Sequence, residues 1–436
     1  MYFLLIYAAS IVILSEASTI EQLSRIPEVR RFQQYIQIDT VTGKDLTPAV
    51  NFWRRHALIA RAKFSTYEAI EGYPVVILKW PGKNSSLPSM ALLTHMDVVP
   101  ADMREGWTYP PFSAHIDDNG DIYGRGTQEK SVTMQQYEAI MRMRKQSAAL
   151  RDVYMILTPD KETGSRNGIA LYLKSKSFKE LKVGFFLTIG VPSMSEDIAL
   201  LYRGKTRWSF EVKCTGPSGD STLLIDPAVS ADGMCGRFYM AYTKYRNGQY
   251  EAAEESGFCD MDNITVINFV GPKVNTVLGV IPSTINLYYD SFLAVNTSFA
   301  QFKKIVYEWL EEAGPNTKLR TLLRQDAGPD SVVDEDNSYY RALEKASISL
   351  DIAFCPRSAS QPEEASYVAA AGYPVFGLSP IISTENLVHA VNERLNIHTF
   401  LNGITIYEEI FKQLFNLSPD EVSNNSSDYL MPNTPN

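Results

Sequence analysis

The sequence predicts an α/β fold, a twisted and largely parallel sheet between helices, interrupted by a smaller inserted α+β domain. Three observations carry this. The chain has 436 residues, more than one ordinary hydrophobic core accommodates, so two domains are expected. Short continuous apolar runs alternate with amphipathic helical patterns, as strands covered on both faces do. The middle of the chain breaks that rhythm with longer strand-like segments and one amphipathic helix.

The first element is a leader. "MYFLLIYAASIVILSEAS" holds an apolar run from Phe3 to Leu14, of signal-peptide length and too short to span a bilayer comfortably. Ser15-Glu16-Ala17 then offers a small-x-small cleavage site, so residues 1–17 read as a signal peptide. No basic residue precedes the run, which leaves an uncleaved anchor or a buried helix as the alternatives. Buried strands follow at "PVVILKW" (74–80), "MALLT" (90–94), "VYMILT" (153–158), "VGFFLT" (183–188) and "PVFGLS" (374–379). "VTMQQYEAIMRMRKQ" and "FLNGITIYEEIFKQLF" repeat apolar residues at three and four, the helical spacing. "RWSFEVKCTG", "ITVINFVG" and "STINLYYDSF", then "SFAQFKKIVYEWLEEAG", form the different middle section. We expect an insertion over 203–315, with Gly314-Pro315 at its exit, between α/β segments 18–202 and 316–416. The polar closing stretch, 417–436, reads as a flexible tail.

Composition narrows the function classes. Apolar content of 45% with 21% charged residues describes a soluble globular protein. A formal charge of −9 with no basic run argues against a nucleic-acid partner. Membrane contact is expected only through the leader, and none once it is cleaved. Glycosylation sequons at Asn84, Asn263, Asn296, Asn416, Asn424 and Asn425, together with the leader, predict a secreted or secretory-lumen glycoprotein. Cys214, Cys235, Cys259 and Cys355 allow up to two disulfides there, or four buried thiols; their spacing favours neither.

The chemistry gathers in four places. "LLTHMDVVP" puts His95 just after an apolar strand, where open α/β sheets present ligands, and Asp97 two residues on could orient its imidazole. "YGRGTQEK" supplies Glu129 after a glycine-rich turn, "TPDKETG" supplies Glu162 after another strand, and "NLVHAVNERL" supplies His389. Two histidines and two carboxylates on separate strand ends or loops can converge on a divalent cation, zinc above all. Each taken singly has a plainer reading, a packed histidine or a solvated glutamate. His56, His115 and His398 keep that plainer reading.

Taken in order, "LLTHMDVVP", "GWTYPPFSAHIDDNGDIYGRGTQE", "TPDKETG" and "GLSPIISTENLVHAVNERL" resemble the aminoacylase-1 branch of the zinc-dependent amidohydrolase and exopeptidase family, which includes carboxypeptidase G and succinyl-diaminopimelate desuccinylase. The resemblance runs from about residue 20 to residue 416. It implies a catalytic α/β domain, an inserted ferredoxin-like domain that makes a dimer, two zinc ions, and hydrolysis of N-acyl amino acids. His95, Glu162 and His389 match ligand positions, and Asp97 matches a supporting acid. Glu129 stands where the family has a bridging Asp, one methylene shorter, and the "KSVTMQ" after it is one residue shorter than the family pattern.

Other matched positions depart from that pattern. An acidic ligand is implied in a "Leu-Asp-Glu-Gly"-like segment, but this chain reads "LTIG", and Ile189 has no lone pair to give. The family's general-base glutamate is matched by Lys161, whose ammonium is a donor only. Acting as a base would need its pKa to fall several units from about 10.4. Asp220, in "SGDST", stands where the family's histidine stabilises an oxyanion. Ser366, after Glu363, Glu364 and Ala365, stands where an arginine engages substrate carboxylate. Gly279 replaces an Asn before "VIP".

The sequence therefore predicts a secreted protein that keeps the family's fold but has lost ordinary amidohydrolase activity, a pseudoenzyme or binding protein. It would hold at most one zinc, weakly, on His389, Glu162 and Glu129, form a homodimer, and take a small amino-acid derivative as ligand. The alternatives are an active amidohydrolase of altered mechanism and a non-catalytic dimeric interaction protein.

Overall fold

A computed structural model describes residues 19–146, 149–256, 261–275, 277–358, 364–419 and 421. The leader, Cys259, Glu363, Asn424 and Asn425 lie outside these residues. The chain divides into two compact units, 19–200 with 332–356 and 371–421, and 201–331 with 357–370.

The first unit is built on an eight-stranded sheet. Its spatial order is Lys63–Tyr67, Val75–Trp80, Val153–Thr158, Ser89–His95, Val183–Ile189, Val375–Leu378, Ile198–Arg203 and Phe354–Ser358. All seven residues of Ser89–His95 and all six of Val153–Thr158 are buried, which is why these runs are continuously apolar rather than alternating. The central pairings are parallel. Lys63–Tyr67 and Val75–Trp80 pair antiparallel, and Val75–Trp80 also runs antiparallel to Val153–Thr158. The sheet is thus mixed, with a parallel centre, rather than largely parallel throughout. A short loop between the first two strands permits an antiparallel pair, whereas parallel neighbours need long crossovers.

Helix Thr127–Gln146 differs from its amphipathic reading, because every residue from Thr127 to Ile140 is buried. Helix Ile397–Leu414 packs against it. The amide nitrogens find acceptors there: Gln135 Nε2 donates to the Phe400 carbonyl at 3.1 Å and Gln136 Nε2 to the Tyr407 hydroxyl at 3.3 Å. His56 is packed within 3.9 Å of the Phe52 ring, while His115 and His398 are exposed. At the C-terminal end, Leu417 is buried and its carbonyl accepts from Arg151, so the chain is still docked where the flexible tail was expected to begin.

The second unit is a β-α-β-β-α-β arrangement. Its antiparallel sheet runs Val266–Val274, Thr284–Phe292, Arg207–Thr215 and Thr317–Gln325 in space. Trp208, Phe210, Val212 and Cys214, at every second position, face a core shared with helices Ala231–Glu255 and Phe299–Ala313. The expected exit at Gly314-Pro315 falls one strand too early. Gly314 ends a helix with φ 125°, and the chain then turns into the sheet's fourth strand, which pairs along Arg207–Thr215. Without that strand the first would be an open edge. Residues 364–370 also belong to this unit rather than to the α/β one.

Cys214 and Cys235 form a disulfide between the first strand of this unit and its first helix, with Cα atoms 5.8 Å apart and both residues buried. It closes a 21-residue separation. Replacing both cysteines by serine is expected to cost about 2–4 kcal/mol. Chemical denaturation of the variant against wild type checks this, and alkylation without reductant should leave both thiols of the wild type unlabelled.

Candidate metal-ligand cluster

The C-terminal ends of adjacent parallel strands place the site. His95 ends its strand in register with Thr158, three residues before Lys161. Open α/β sheets collect ligands at such strand ends. Glu129 comes from the first turn of helix Thr127–Gln146, behind the turn that contains Gly126. That turn needs glycine: φ is 76°, and a Cβ would lie 2.4 Å from a Val98 methyl.

His95, Glu129 and Glu162 each offer a ligand atom, and the three atoms lie within 4.8 Å of one another. Among the described residues, His95 Nε2 is buried without a hydrogen-bond partner, 3.5 Å from Glu129 Oε1. His389 Nε2 lies 3.1 Å from Glu162 Oε2 and 3.9 Å from Glu129 Oε2. The four expected donors therefore do converge. The compact triad, however, takes His95 as its histidine, whereas the sequence grouped His389 with the two glutamates.

Lys161 reaches into the same place. Its Nζ is 2.5 Å from Glu129 Oε1 and 3.4 Å from Glu162 Oε1, and its side chain is 10% exposed. The short turn Lys161–Thr163 that carries it is anchored by Asp97. Asp97 Oδ1 accepts from the Lys161 amide and Oδ2 from the Glu162 amide, both at 3.0 Å, and Thr42 Oγ1 donates to Oδ2 at 3.3 Å. The His95 Nδ1 proton meets the Asp97 backbone carbonyl at 2.9 Å, with the carboxylate farther off at 3.4 Å. Asp97 thus orients a loop more than an imidazole.

Two residues that the sequence did not single out hold the His389 segment. Gln128 Nε2 donates to the Glu385 carbonyl and its Oε1 accepts from the Leu387 amide, both at 2.8 Å. Arg125 Nη1 donates to the Ala390 carbonyl and to Glu393 Oε2, each at 3.1 Å. Glu393 also accepts from the amides of Gly126 and Gln128 at 2.9 Å, capping the helix that carries Glu129. His389 itself sits at φ 67°, a left-handed conformation rare for a non-glycine residue, and this clamp maintains it. The available signal was the placing of Arg125 and Gln128 inside the Glu129 motif and of Glu393 inside the His389 motif.

Electrostatics tie the cluster together. Burial opposes the imidazolium of His95, but the carboxylates of Glu129 and Asp97 outweigh it and raise its pKa well above the ordinary value. Burial likewise opposes ionisation of Glu129, yet Lys161 and His95 hold its pKa well below the usual carboxylate range. His389 is raised by Glu162 against the cost of its burial.

The other matched positions fall as follows. Ile189 is 5% exposed and pairs with Leu378, one residue beyond the pairing of Thr188 with Leu93, so hydrocarbon ends this strand. Asp160, the acid nearest Lys161 in the chain, turns its carboxylate to the amides of Asn167 and Gly168 at 2.7 and 3.0 Å. Burial raises its pKa to about 6. In the second unit, exposed Asp220 accepts from the Thr222 amide and hydroxyl. Ser366 is buried there, its hydroxyl without a partner. Gly279 has φ 83°, a conformation that asparagine also tolerates.

The donors suit one divalent cation in kind, a histidine nitrogen and two carboxylates. Ile189 supplies no ligand atom, and Lys161 is already bonded to Glu129 and Glu162.

A parallel-centred sheet with histidine and carboxylate side chains gathered beside it, in a chain that also holds a β-α-β-β-α-β unit, is an α/β scaffold with a candidate metal-ligand cluster. Residues 91–413 match peptidase family M20/M25/M40, and the chain belongs to that family. It is 28% identical to aminoacylase-1 of Mus musculus over 394 residues, 90% of this chain and 96% of the relative. It is also 28% identical to aminoacylase-1 of Homo sapiens over 391 residues, 89% and 95% of the two chains. Among solved structures, human carnosine dipeptidase 1 superposes with a TM-score of 0.73 at 14% identity, covering 92% of this chain and all of that one. An M20 family metallo-carboxypeptidase from Sulfolobus solfataricus gives 0.71 at 16% identity, covering 89% and 99%. These structural likenesses speak to the fold.

Proposed function

We propose that this chain is an aminoacylase-1-like member of its family that has given up ordinary amide hydrolysis and serves as a pseudoenzyme or binding protein. The observation that supports it is the Lys161 ammonium, 2.5 Å from Glu129, at the position matched to the family's general base. A group with three donors and no lone pair takes no proton from water, and loss of a positioned base costs ~10²–10⁴ in rate. Asp160 offers no substitute, since its carboxylate faces the other way onto two amides.

The proposal includes secretion, a homodimer, an amino-acid derivative as ligand, and at most one weakly held zinc. The Cys214–Cys235 bridge and exposed asparagines at the sequons of Asn84, Asn263, Asn296 and Asn416 support an oxidising, glycosylating compartment. The His95–Glu129–Glu162 triad favours a second reading, a metal-dependent N-acyl-amino-acid amidohydrolase of altered mechanism. A panel of N-acyl amino acids and dipeptides, assayed with wild type and Glu162→Ala, separates the two. The expected result is equal, background hydrolysis by both proteins; zinc-dependent turnover that Glu162→Ala abolishes would establish the second reading.

A further inference from the structure

An ammonium inside a carboxylate cluster can be a bystander or a replacement. The geometry distinguishes them. Lys161 is rooted at both ends: its amide is held by Asp97, and its Nζ lies against Glu129 and Glu162 with the side chain 10% exposed. A lysine that merely lined a loop would carry its charge out to water. Glu129 is at least as buried, so its charge needs a partner at close range. A divalent ion bound to Glu129 would share that carboxylate with a positive charge already 2.5 Å from its Oε1. Beside that pair stands His95 Nε2, buried and without a hydrogen-bond partner, with His389 closing the Glu162 side.

We propose that Lys161 is a built-in cation occupying the place of a metal ion, neutralising Glu129 and Glu162 and closing the His95–Glu129–Glu162–His389 cluster to divalent metals. The cluster is then complete without zinc, and a metal site lies latent beneath the lysine. Removing the charge while keeping the aliphatic stem exposes that site. The inference rests on the reading of Lys161 given above, but its test measures binding and stability, not turnover.

The experiment is a zinc titration of the full-length protein against a competing chelator, with thermal midpoints in EDTA and in zinc. Lys161→Met is expected to bind zinc at least about tenfold more tightly than wild type, since one unit charge near a divalent ion carries that factor even under water-like screening. Its midpoint in EDTA should fall below that of wild type and recover with zinc, whereas EDTA should leave wild type unchanged. Lys161→Arg should keep both the stability and the exclusion of metal. Lys161→Met with Glu162→Gln should lose the gained affinity.

Equal zinc affinity in wild type and Lys161→Met overturns the inference. So does a wild type that loses stability in EDTA, a measurement that stands even where a variant fails to fold. Hydrolysis of N-acyl amino acids by the wild type would instead overturn the functional reading and leave the affinity comparison to decide this one.

Discussion

Replacing Lys161 and Ile189 together by glutamate is expected to produce a zinc-loaded protein whose amidase turnover exceeds that of wild type by ~10² or more. Under the proposed reading the two changes act together. The first change removes the cation beside Glu129 and returns a proton acceptor to the position before Glu162. The second puts a carboxylate at the hydrocarbon end of the strand Val183–Ile189. Each change alone leaves something missing: a base without a full set of ligands, or a ligand set still holding an ammonium. The pair should therefore be strongly non-additive. In EDTA the double variant should be less stable than wild type, because the Ile189→Glu change buries a carboxylate at a 5%-exposed position without a counter-ion. Recovery would remain incomplete while Asp220 and Ser366 keep their identities. Metal analysis, single-turnover assays and melts with and without zinc check this. Tight zinc binding with no gain in turnover would show that the matched base position is not what limits the wild type.

The second large effect concerns stability. Glu393→Ala is expected to cost about 3–5 kcal/mol, the usual penalty for stranding one member of a buried ion pair. Glu393 is fully buried and Arg125 only 3% exposed. The carboxylate also receives the Gly126 and Gln128 amides, so the variant leaves a guanidinium and two helix-terminal N–H groups without their acceptor. Burial, with Glu129 nearby, pushes the Glu393 pKa up to about 7 although the Gln128 and Gly126 amides and Arg125 pull it down, so the penalty should be largest above neutral pH, where the carboxylate is charged. Arg125→Met with Glu393→Leu should cost less than Glu393→Ala alone, since no charge is stranded. A double-mutant cycle by chemical denaturation measures the difference. A Glu393→Ala variant within about 1 kcal/mol of wild type would mean that the clamp contributes little to holding the Glu129 helix and the His389 segment together.

Much of the site was readable as residue types at strand ends. His95, Glu129, Glu162 and His389 converge as their positions suggested, and Lys161 stands among them. What could not be read was the use each group makes of its neighbours. Asp97 was expected to orient His95, which it contacts, but its carboxylate also holds the amides of residues 161 and 162, more than sixty positions away in the chain. Thr42, Arg125, Gln128 and Glu393 carry no isolated signal, because their work is hydrogen bonding between segments that only the fold brings together. The fourth strand of the inserted unit escaped for a similar reason. Thr317–Gln325 is mostly exposed and follows a Gly-Pro pair that looks like a linker, so its place is settled by pairing with Arg207–Thr215.

By itself the amino-acid order determined the local quantities: which segments are apolar enough to become buried strands, where helices begin, and that one matched position holds an ammonium and another a branched hydrocarbon. These follow from side-chain chemistry and from the short repeats of strand and helix. Only the tertiary structure decided that this ammonium lands 2.5 Å from a carboxylate supplied by another element, and which histidine completes the triad with Glu129 and Glu162. Such meetings depend on strand register and crossover paths, which no short-range pattern encodes.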